Sequence, residues 1–249
     1  MNILATNDDG FDAPGFRALL AAMDGLGEIM SVAPEKNHSG ASSSLTLGRD
    51  IGVRQYAPGH YRVCGTPVDC VHLALTGDFL PAPPDLIVSG VNDGANMGDD
   101  TIYSGTVAAV IEGHLFGVPG FAFSMAGKSG RHFADGGAVA RYVVSRFCDR
   151  PFAGLPLLNI NIPDATADDP ADIVATRLGR RHRAQAAIRR GGDENGGHVF
   201  VIGEAGAARD DAPGTDFHAV EQGRISASPL MIDLTDTPEI SRLLEWLAH

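Results

Sequence analysis

The chain has 249 residues, 44% of them hydrophobic, and its 31 acidic and 19 basic side chains give a formal net charge of −12. This length and apolar content predict one main domain with a full core and an elaboration, and the acidic balance argues against binding to a nucleic-acid duplex or an anionic membrane. No apolar run approaches the roughly 20 residues of a membrane span, no signal peptide precedes the first strand, and the cysteines fit neither a complete disulfide set nor a zinc pattern, so we expect a cytoplasmic protein.

Strands and helices alternate along the first two thirds of the sequence. Apolar runs predict strands at 2–7, 29–33, 44–47, 51–63 (with a turn at Pro58-Gly59), 85–89, 121–125 and 157–162, and helical periodicity predicts helices at 13–25, 66–75, 104–116 and 133–147. The β-α-β opening favours parallel strands joined by right-handed crossovers. We therefore predict an α/β fold, a three-layer αβα sandwich with a mainly parallel, Rossmann-like sheet.

The composition changes after Pro163. Short strands are predicted at 173–178, 198–202 and 225–232, and the basic segment 180–190 is interpreted as solvated surface, with contact to substrate or a second subunit as the alternative. The final helix carries an apolar stripe formed by Ile240, Leu243, Leu244 and Leu247. We assign 1–163 to a core α/β domain and 164–249 to a C-terminal excursion, whose arm strands and terminal helix we expect in contacts between subunits.

Two adjacent carboxylates, Asp8 and Asp9, follow the first predicted strand at a turn that Gly10 permits. Both are partly desolvated at such a position and repel each other, and a hard divalent cation relieves that repulsion. The alternative is a solvated turn that caps the next helix. The pair alone does not decide between these two interpretations.

Two further polar, glycine-bearing segments, 37–40 and 90–96, also follow predicted strands. Ligands of an open parallel sheet bind beyond the carboxyl ends of its strands, so we expect both segments at the same edge as Asp8 and Asp9. Together the three segments offer two carboxylates, a hydroxyl and amide oxygens, with no thiolate and at most one imidazole. This set of ligands suits Mg²⁺ or Mn²⁺ better than Zn²⁺.

A fourth segment, 103–107, places two hydroxyls and exposed backbone N–H groups at a predicted helix N-terminus, a geometry that suits a phosphate. Taken singly, each polar residue has an ordinary structural explanation: Ser104 as a helix N-cap, and Asn92 and Asn96 as left-handed turn residues. The coincidence of all four segments favours a binding site over independent caps and turns.

In order along nearly the whole chain, these segments resemble the motifs of the survival protein E (SurE) family. The resemblance is carried by 1–10, 34–47, 64–70, 89–100, 103–113, 159–163, 215–216 and 226–230. It implies one divalent cation per subunit, Mg²⁺ or Mn²⁺, held by Asp8, Asp9, Ser39 and Asn92. It further implies removal of phosphate from nucleoside 5′- or 3′-monophosphates, and homodimers or homotetramers that exchange their C-terminal regions.

The resulting hypothesis is a metal-dependent phosphomonoesterase in which Asp8 or Asp9 accepts a proton from the attacking water. Phosphate oxygens are expected to be held by Gly40, Asn96, Ser104, Gly105 and Thr106. A covalent aspartyl-phosphate route would need an Asp-x-Asp spacing, which Asp8-Asp9 lacks. The alternatives are a non-catalytic module that senses nucleotide or phosphate, and a phosphatase that acts mainly on other phosphomonoesters or on polyphosphate.

Overall fold

A computed structural model describes residues 1–127, 132–164, 169–192, 197–203 and 205–248, and a nine-stranded sheet lies at its centre. The strands of the molecule, numbered in chain order, are β1 (Asn2–Thr6), β2 (Glu28–Pro34), β3 (Val53–Ala57), β4 (His60–Val63), β5 (Leu86–Asp93), β6 (Gly120–Met125), β7 (Leu157–Ile162), β8 (Ile173–Ala175), β9 (Arg180–Arg181), β10 (Ile188–Gly192), β11 (His198–Val201), β12 (Ala208–Asp210) and β13 (Ile225–Pro229). The helices are α1 (Pro14–Met23), α2 (Pro67–Thr76), α3 (Gly105–Leu115), α4 (Phe133–Asp149), α5 (Asp216–Glu221) and α6 (Glu239–Leu247), and a 3₁₀ helix covers Gly98–Tyr103.

The main sheet has the strand order β3-β4-β2-β1-β5-β6-β7-β13-β8. Neighbouring strands from β4 to β7 are parallel, whereas β3 pairs antiparallel with β4 and β13 pairs antiparallel with β7. Parallel strands bring their carboxyl ends to one edge of a sheet. The loops that follow β1, β2 and β5 therefore meet at the same edge.

Helices cover both faces of this sheet. On one face α1 and α4 bury Phe16, Leu19 and Val139 against the strands, and on the other face α2 and α3 bury Val71 and Val107. Burial of these apolar side chains is the main stabilising contribution to the fold. The predicted three-layer αβα architecture with a mainly parallel sheet is confirmed.

The predicted strand at 44–47 is wrong. Thr46 instead donates its backbone N–H and its hydroxyl to the carboxylate of Asp69, each at 2.7 Å. Asp69 also forms a capping box with Thr66 at the start of α2. A carboxylate 23 positions away therefore holds this segment, and local sequence patterns carry no signal for such a contact.

Strand β5 is longer than predicted and irregular near its end. It extends to Asp93, and its register with β6 shifts between Ser89 and Asn92. The backbone of Gly90 is closely packed at this shift. Gly90 has φ +126°, and a Cβ added there would lie 2.3 Å from the carbonyl oxygen of Phe123. Glycine alone tolerates this approach, and the irregularity carries Asn92 to the edge where the loops meet.

Part of the segment 164–249 completes the main sheet, because β13 and β8 lie beyond β7. The hairpin of β10 and β11 is exposed along its length, and α6 has no buried residue. The C-terminal excursion is therefore present, while the domain boundary at residue 163 stays a prediction. No helix in the described residues has the length and apolar character that crossing a membrane requires.

Candidate functional site

The loops that follow β1, β2 and β5 and the start of α3 enclose a cavity of about 270 Å³. The structure brings six of the residues predicted for the site to its wall: Asp8, Ser39, Gly40, Asn92, Asn96 and Ser104. The rest of the wall is formed by Asp93, Gly94, Ala95, Asp100 and Tyr103.

Asp8 lies two residues beyond the end of β1 and is 3% exposed. One oxygen of its carboxylate accepts a hydrogen bond from the hydroxyl of Thr106, and its backbone carbonyl accepts one from the N–H of His38 at 2.7 Å. Burial raises the pKa of Asp8; the bond from Thr106 opposes this shift, and the neighbouring charge of Asp9 adds to it. The Asp8 carboxylate is therefore held in one orientation, and no cationic side chain in the described residues forms an ion pair with it.

Asp9 lies beside the cavity and is half-buried. Its two oxygens accept hydrogen bonds from the side-chain amide of Asn37 at 3.3 Å and from the backbone N–H of Asp93 at 3.1 Å. Burial raises the pKa of Asp9 as well, against the lowering effect of the bond from Asp93. This second bond ties the turn after β1 to the end of β5.

Asn92 donates its side-chain N–H to the carbonyl of Gly94 at 2.8 Å, so its amide oxygen is the group left to bind a ligand. Ser39 is exposed, and its backbone N–H donates to the side-chain oxygen of Asn37 at 2.8 Å. Gly40, with φ +77°, has no neighbouring atom within 4 Å of an added Cβ. The wall formed by Ser39 and Gly40 is therefore open to incoming groups.

Of the three residues at the start of α3 that were predicted to hold phosphate, only Ser104 lines the cavity. Ser104 lines the cavity and also caps the helix, because its hydroxyl accepts the N–H of Val107 at 3.1 Å. Thr106 is fully buried and holds Asp8, and a Cβ added at Gly105 would lie 2.9 Å from the Cβ of Asp8. Gly105 and Thr106 therefore contact Asp8 and do not form part of the cavity wall.

Two buried asparagines of β7 take part in the site although sequence reasoning gave them no role. Asn159 and Asn161 are both fully buried, and both bond to the backbone of Asn96. The signal was visible in the sequence, since two amides at positions i and i+2 of a central strand point to the same face and need partners there.

The basic segment 180–190 is only partly solvated surface. Arg180 pairs with Asp99 at 3.0 Å and Arg181 pairs with Asp100 at 2.5 Å, so both contact the 3₁₀ helix that precedes α3. The buried carboxylate of Asp216 accepts the N–H of Gly98 at 2.7 Å and the N–H of Gly179 at 2.8 Å. The C-terminal excursion therefore braces one wall of the cavity.

The donor set of the cavity fits a hard divalent cation. Among the residues that the structure describes, neither Asp8 nor Asp9 forms an ion pair, and no three His, Cys, Asp or Glu side chains cluster as a metal site. The groups available to a cation are the carboxylates of Asp8 and Asp9, whose pKa values are raised, the hydroxyl of Ser39 and the amide oxygen of Asn92. Mg²⁺ and Mn²⁺ prefer such oxygen ligands, and a bound cation would neutralise the unpaired negative charge.

A larger groove, of about 520 Å³, lies on the sheet face that α4 covers, between α4 and the strands β7, β13 and β8. Its wall is mostly apolar and includes Arg146 and Arg150, and none of the described residues that line it is a carboxylate. We place the functional site in the smaller cavity because the groups capable of acid–base chemistry lie there.

Comparison with known proteins identifies the family to which this fold belongs. The family model described as Survival protein SurE matches residues 3–185. A relative from Laribacter hongkongensis (strain HLHK9), named 5'-nucleotidase SurE, is 50% identical over 247 residues, which make up 99% of each chain. The crystal structure of the SurE protein from Aquifex aeolicus is similar with a TM-score of 0.84 at 34% identity, over 100% of both chains. The chain belongs to the SurE family.

Proposed function

We propose that this protein is a 5′-nucleotidase, a phosphoric monoester hydrolase that removes phosphate from nucleoside 5′- and 3′-monophosphates. The observation that carries the proposal is the convergence of the buried carboxylate of Asp8, the neighbouring half-buried carboxylate of Asp9, and hydroxyl and amide groups at one cavity. The relative from Laribacter hongkongensis, whose name describes a 5′-nucleotidase, supports it.

One divalent cation, Mg²⁺ or Mn²⁺, would be held by Asp8, Asp9, Ser39 and Asn92. Such a cation supplies Lewis-acid polarisation of the phosphoryl group and lowers the pKa of water. The carboxylate of Asp8 or Asp9 accepts the proton of the attacking water, and a raised pKa suits a general base. Thr106 keeps the Asp8 carboxylate in its orientation through the hydrogen bond between them.

The phosphate oxygens would be bound by Asn96, by Ser104 and by the open backbone at Gly40. The N-terminus of α3 adds the positive end of a helix dipole. The polar lining of the cavity suits a phosphate. Tyr103 lies in the same wall and is 66% exposed, so its ring can stack on the base or sugar of a bound nucleotide.

The test is phosphate release from 5′-AMP, 3′-AMP, p-nitrophenyl phosphate and polyphosphate, with Mn²⁺ or Mg²⁺, after chelation, and after the cation is restored. We expect turnover of the nucleotides to disappear on chelation and to return with the cation. Asp8→Asn should lower kcat/KM by about 10²–10⁴-fold, the usual contribution of a general base. Asp135→Asn, which alters a carboxylate at the start of α4, is the matched control and should remain active.

Three outcomes would contradict this function. Full activity after confirmed removal of the cation would exclude the metal-dependent mechanism. Binding of nucleotide without turnover would indicate a sensing module, and preference for polyphosphate or for p-nitrophenyl phosphate would indicate a phosphatase for other substrates.

We also propose that the protein is a homodimer or a homotetramer. Helix α6 and the hairpin of β10 and β11 leave large apolar side chains in solvent within the described part of the chain. Exposed apolar surface of this extent is typical of a surface that binds another protein chain.

A further inference from the structure

The main sheet presents an unusual polar patch where β7 and β13 meet. Within the described residues, five fully or nearly fully buried polar side chains share it: Asn159, Asn161, Thr176, Ser226 and Ser228. The three hydroxyls satisfy one another, since Thr176 bonds to Ser226 and to Ser228 at 2.7 Å each. The two asparagines bond elsewhere, to the loop that carries Asn96.

Asn161 and Asn159 hold both backbone groups of Asn96. The side-chain oxygen of Asn161 accepts the N–H of Asn96 at 2.8 Å, and its amide donates to the carbonyl of Asn96 at 3.1 Å. Asn159 donates to the same carbonyl at 2.7 Å. The side chain of Asn96 is then directed by Ser124, whose hydroxyl accepts its amide at 2.8 Å.

Burial of two carboxamides in the centre of a strand costs free energy of folding, so their presence calls for an explanation. A carboxamide buried without hydrogen bonds destabilises a protein, and apolar residues would fill the centre of a buried strand at no such cost. Here the carboxamides hold the N–H and the carbonyl of one loop residue, and thus the two peptide units on either side of its Cα. That residue is Asn96, which lies in the cavity wall.

We propose that Asn159 and Asn161 are positioning residues that hold the backbone of Asn96 and thereby place the phosphate-binding wall of the cavity. The inference rests on the proposed role of Asn96 as a phosphate contact. Asn92 is held differently, because it belongs to β5 and pairs with Ser124 of β6. The two asparagines therefore act on the phosphate side of the site and leave the metal side unchanged.

The test uses three variants of the full chain. Asn161→Leu removes both bonds to Asn96 at similar side-chain size, Asn159→Leu removes one donor, and Asn161→Asp keeps the acceptor and loses the donor. Thr176→Val is the matched control, since it removes two hydrogen bonds from the same buried patch without touching Asn96. If Asn161→Leu does not fold, Asn159→Leu and Asn161→Asp carry the comparison.

Four quantities are measured: KM for 5′-AMP, the inhibition constant of orthophosphate, the Kd of Mn²⁺, and hydrogen exchange of the peptide that contains Asn96. We expect the asparagine variants to weaken substrate and orthophosphate binding by about tenfold or more and to speed exchange at Asn96, with the Mn²⁺ Kd changed by less than about threefold. Thr176→Val should change none of these four quantities, although its melting temperature falls.

Equal loss of Mn²⁺ and orthophosphate binding, or variants that lose melting temperature but bind orthophosphate like the wild type, would overturn the positioning role. If wild-type protein does not hydrolyse 5′-AMP, the proposed function fails separately. Calorimetric binding of orthophosphate and hydrogen exchange at Asn96 still decide the positioning role in that case.

Discussion

At the scale of single residues, Asp8 is held in an environment that disfavours its charge. Its pKa is raised chiefly by burial, and the pKa of Asp9 is raised in the same way. A group whose pKa is higher in the folded than in the unfolded state makes the folded state bind more protons. The metal-free protein therefore loses stability as the pH rises from the unfolded value of about 3.9 through the raised value.

This linkage predicts that metal-free Asp8→Asn melts at a higher temperature than metal-free wild type at neutral pH. The neutral amide removes the buried charge and still accepts the bond from Thr106. The difference between the two proteins should shrink as the pH is lowered from neutrality through the raised pKa of Asp8, where its carboxylate becomes protonated. Scanning calorimetry in chelator at a series of pH values is the measurement.

Addition of Mn²⁺ should raise the melting temperature of the wild type and leave that of Asp8→Asn nearly unchanged. If chelated wild type is as stable as the variant at neutral pH, the buried charge is compensated by some other group, and the reason for a cation at this position is lost.

Asp69 has the opposite effect on the pH dependence of stability, and it sets the lowest pH at which the experiment on Asp8 can be interpreted. Burial favours a higher pKa for this group, but hydrogen bonds from Thr46 and Thr66 outweigh burial and hold its pKa below the ordinary value. The stabilisation from Asp69 is complete above about pH 4 and is lost as the pH falls through its lowered pKa. Measurements above about pH 5 are therefore free of this second effect.

At the scale of elements, the first turn of α3 supports Asp8 by close packing. An added Cβ at Gly105 would lie 2.9 Å from the Cβ of Asp8, a distance that requires Asp8 to move. We therefore expect Gly105→Ala to lower kcat/KM by about tenfold or more and to weaken Mn²⁺ binding, because a small displacement of a catalytic group costs this much. Steady-state kinetics and metal titration are the measurements.

Gly52→Ala is the control for Gly105→Ala. Its added Cβ would meet the Cβ of Cys64 at 3.8 Å, an ordinary contact, so activity should not change. A fully active Gly105→Ala enzyme would show that Asp8 needs no fixed position.

The sequence indicates that Gly105 is a functional glycine at the start of α3. It does not indicate that the side chain packed against Gly105 is Asp8, so from sequence alone Gly105 is interpreted as a phosphate contact.

Most elements of the core follow from local patterns. Strands such as β1 and β7 and helices such as α2 are continuous apolar or periodic runs, so their existence and order could be predicted. The grouping of Asp8, Ser39 and Asn92 also follows, because parallel strands carry their loops to one edge.

What could not be predicted depends on partners distant in the chain. The segment at 44–47 is shaped by Asp69, and the pairing of Arg181 with Asp100 spans 81 positions. The spacing of Asn159 and Asn161 indicates that both amides need partners on one face of β7, but it does not identify Asn96 as the partner. The partners in polar contacts of this range are revealed only by the assembled fold.

At the scale of the whole molecule, exposed apolar surface predicts assembly. In α6 the side chains of Leu243 and Leu244 are 53% and 62% exposed, and no residue of the helix is buried. We expect light scattering at micromolar concentration to show a dimer or a tetramer. The double substitution Leu243→Glu with Leu244→Glu should shift it toward smaller species, since charges are costly to bury in an interface.

Ser241→Glu, which adds a charge to the same helix away from the apolar stripe, should leave the assembly intact. A monodisperse monomer of the wild type would exclude the proposed homodimer or homotetramer. It would also leave the exposed leucines of α6 as a solubility liability.

The contacts of Asp216 have a consequence for biosynthesis. This carboxylate accepts the N–H groups of Gly98 and Gly179, two positions separated from it by 118 and 37 residues. A nascent chain that has not yet produced residue 216 lacks the acceptor that anchors the wall around the cavity. Ribosome-bound chains therefore complete this wall only when most of the polypeptide has emerged, and a chain released early by a premature stop codon carries the carboxylates of the site without the brace that surrounds them.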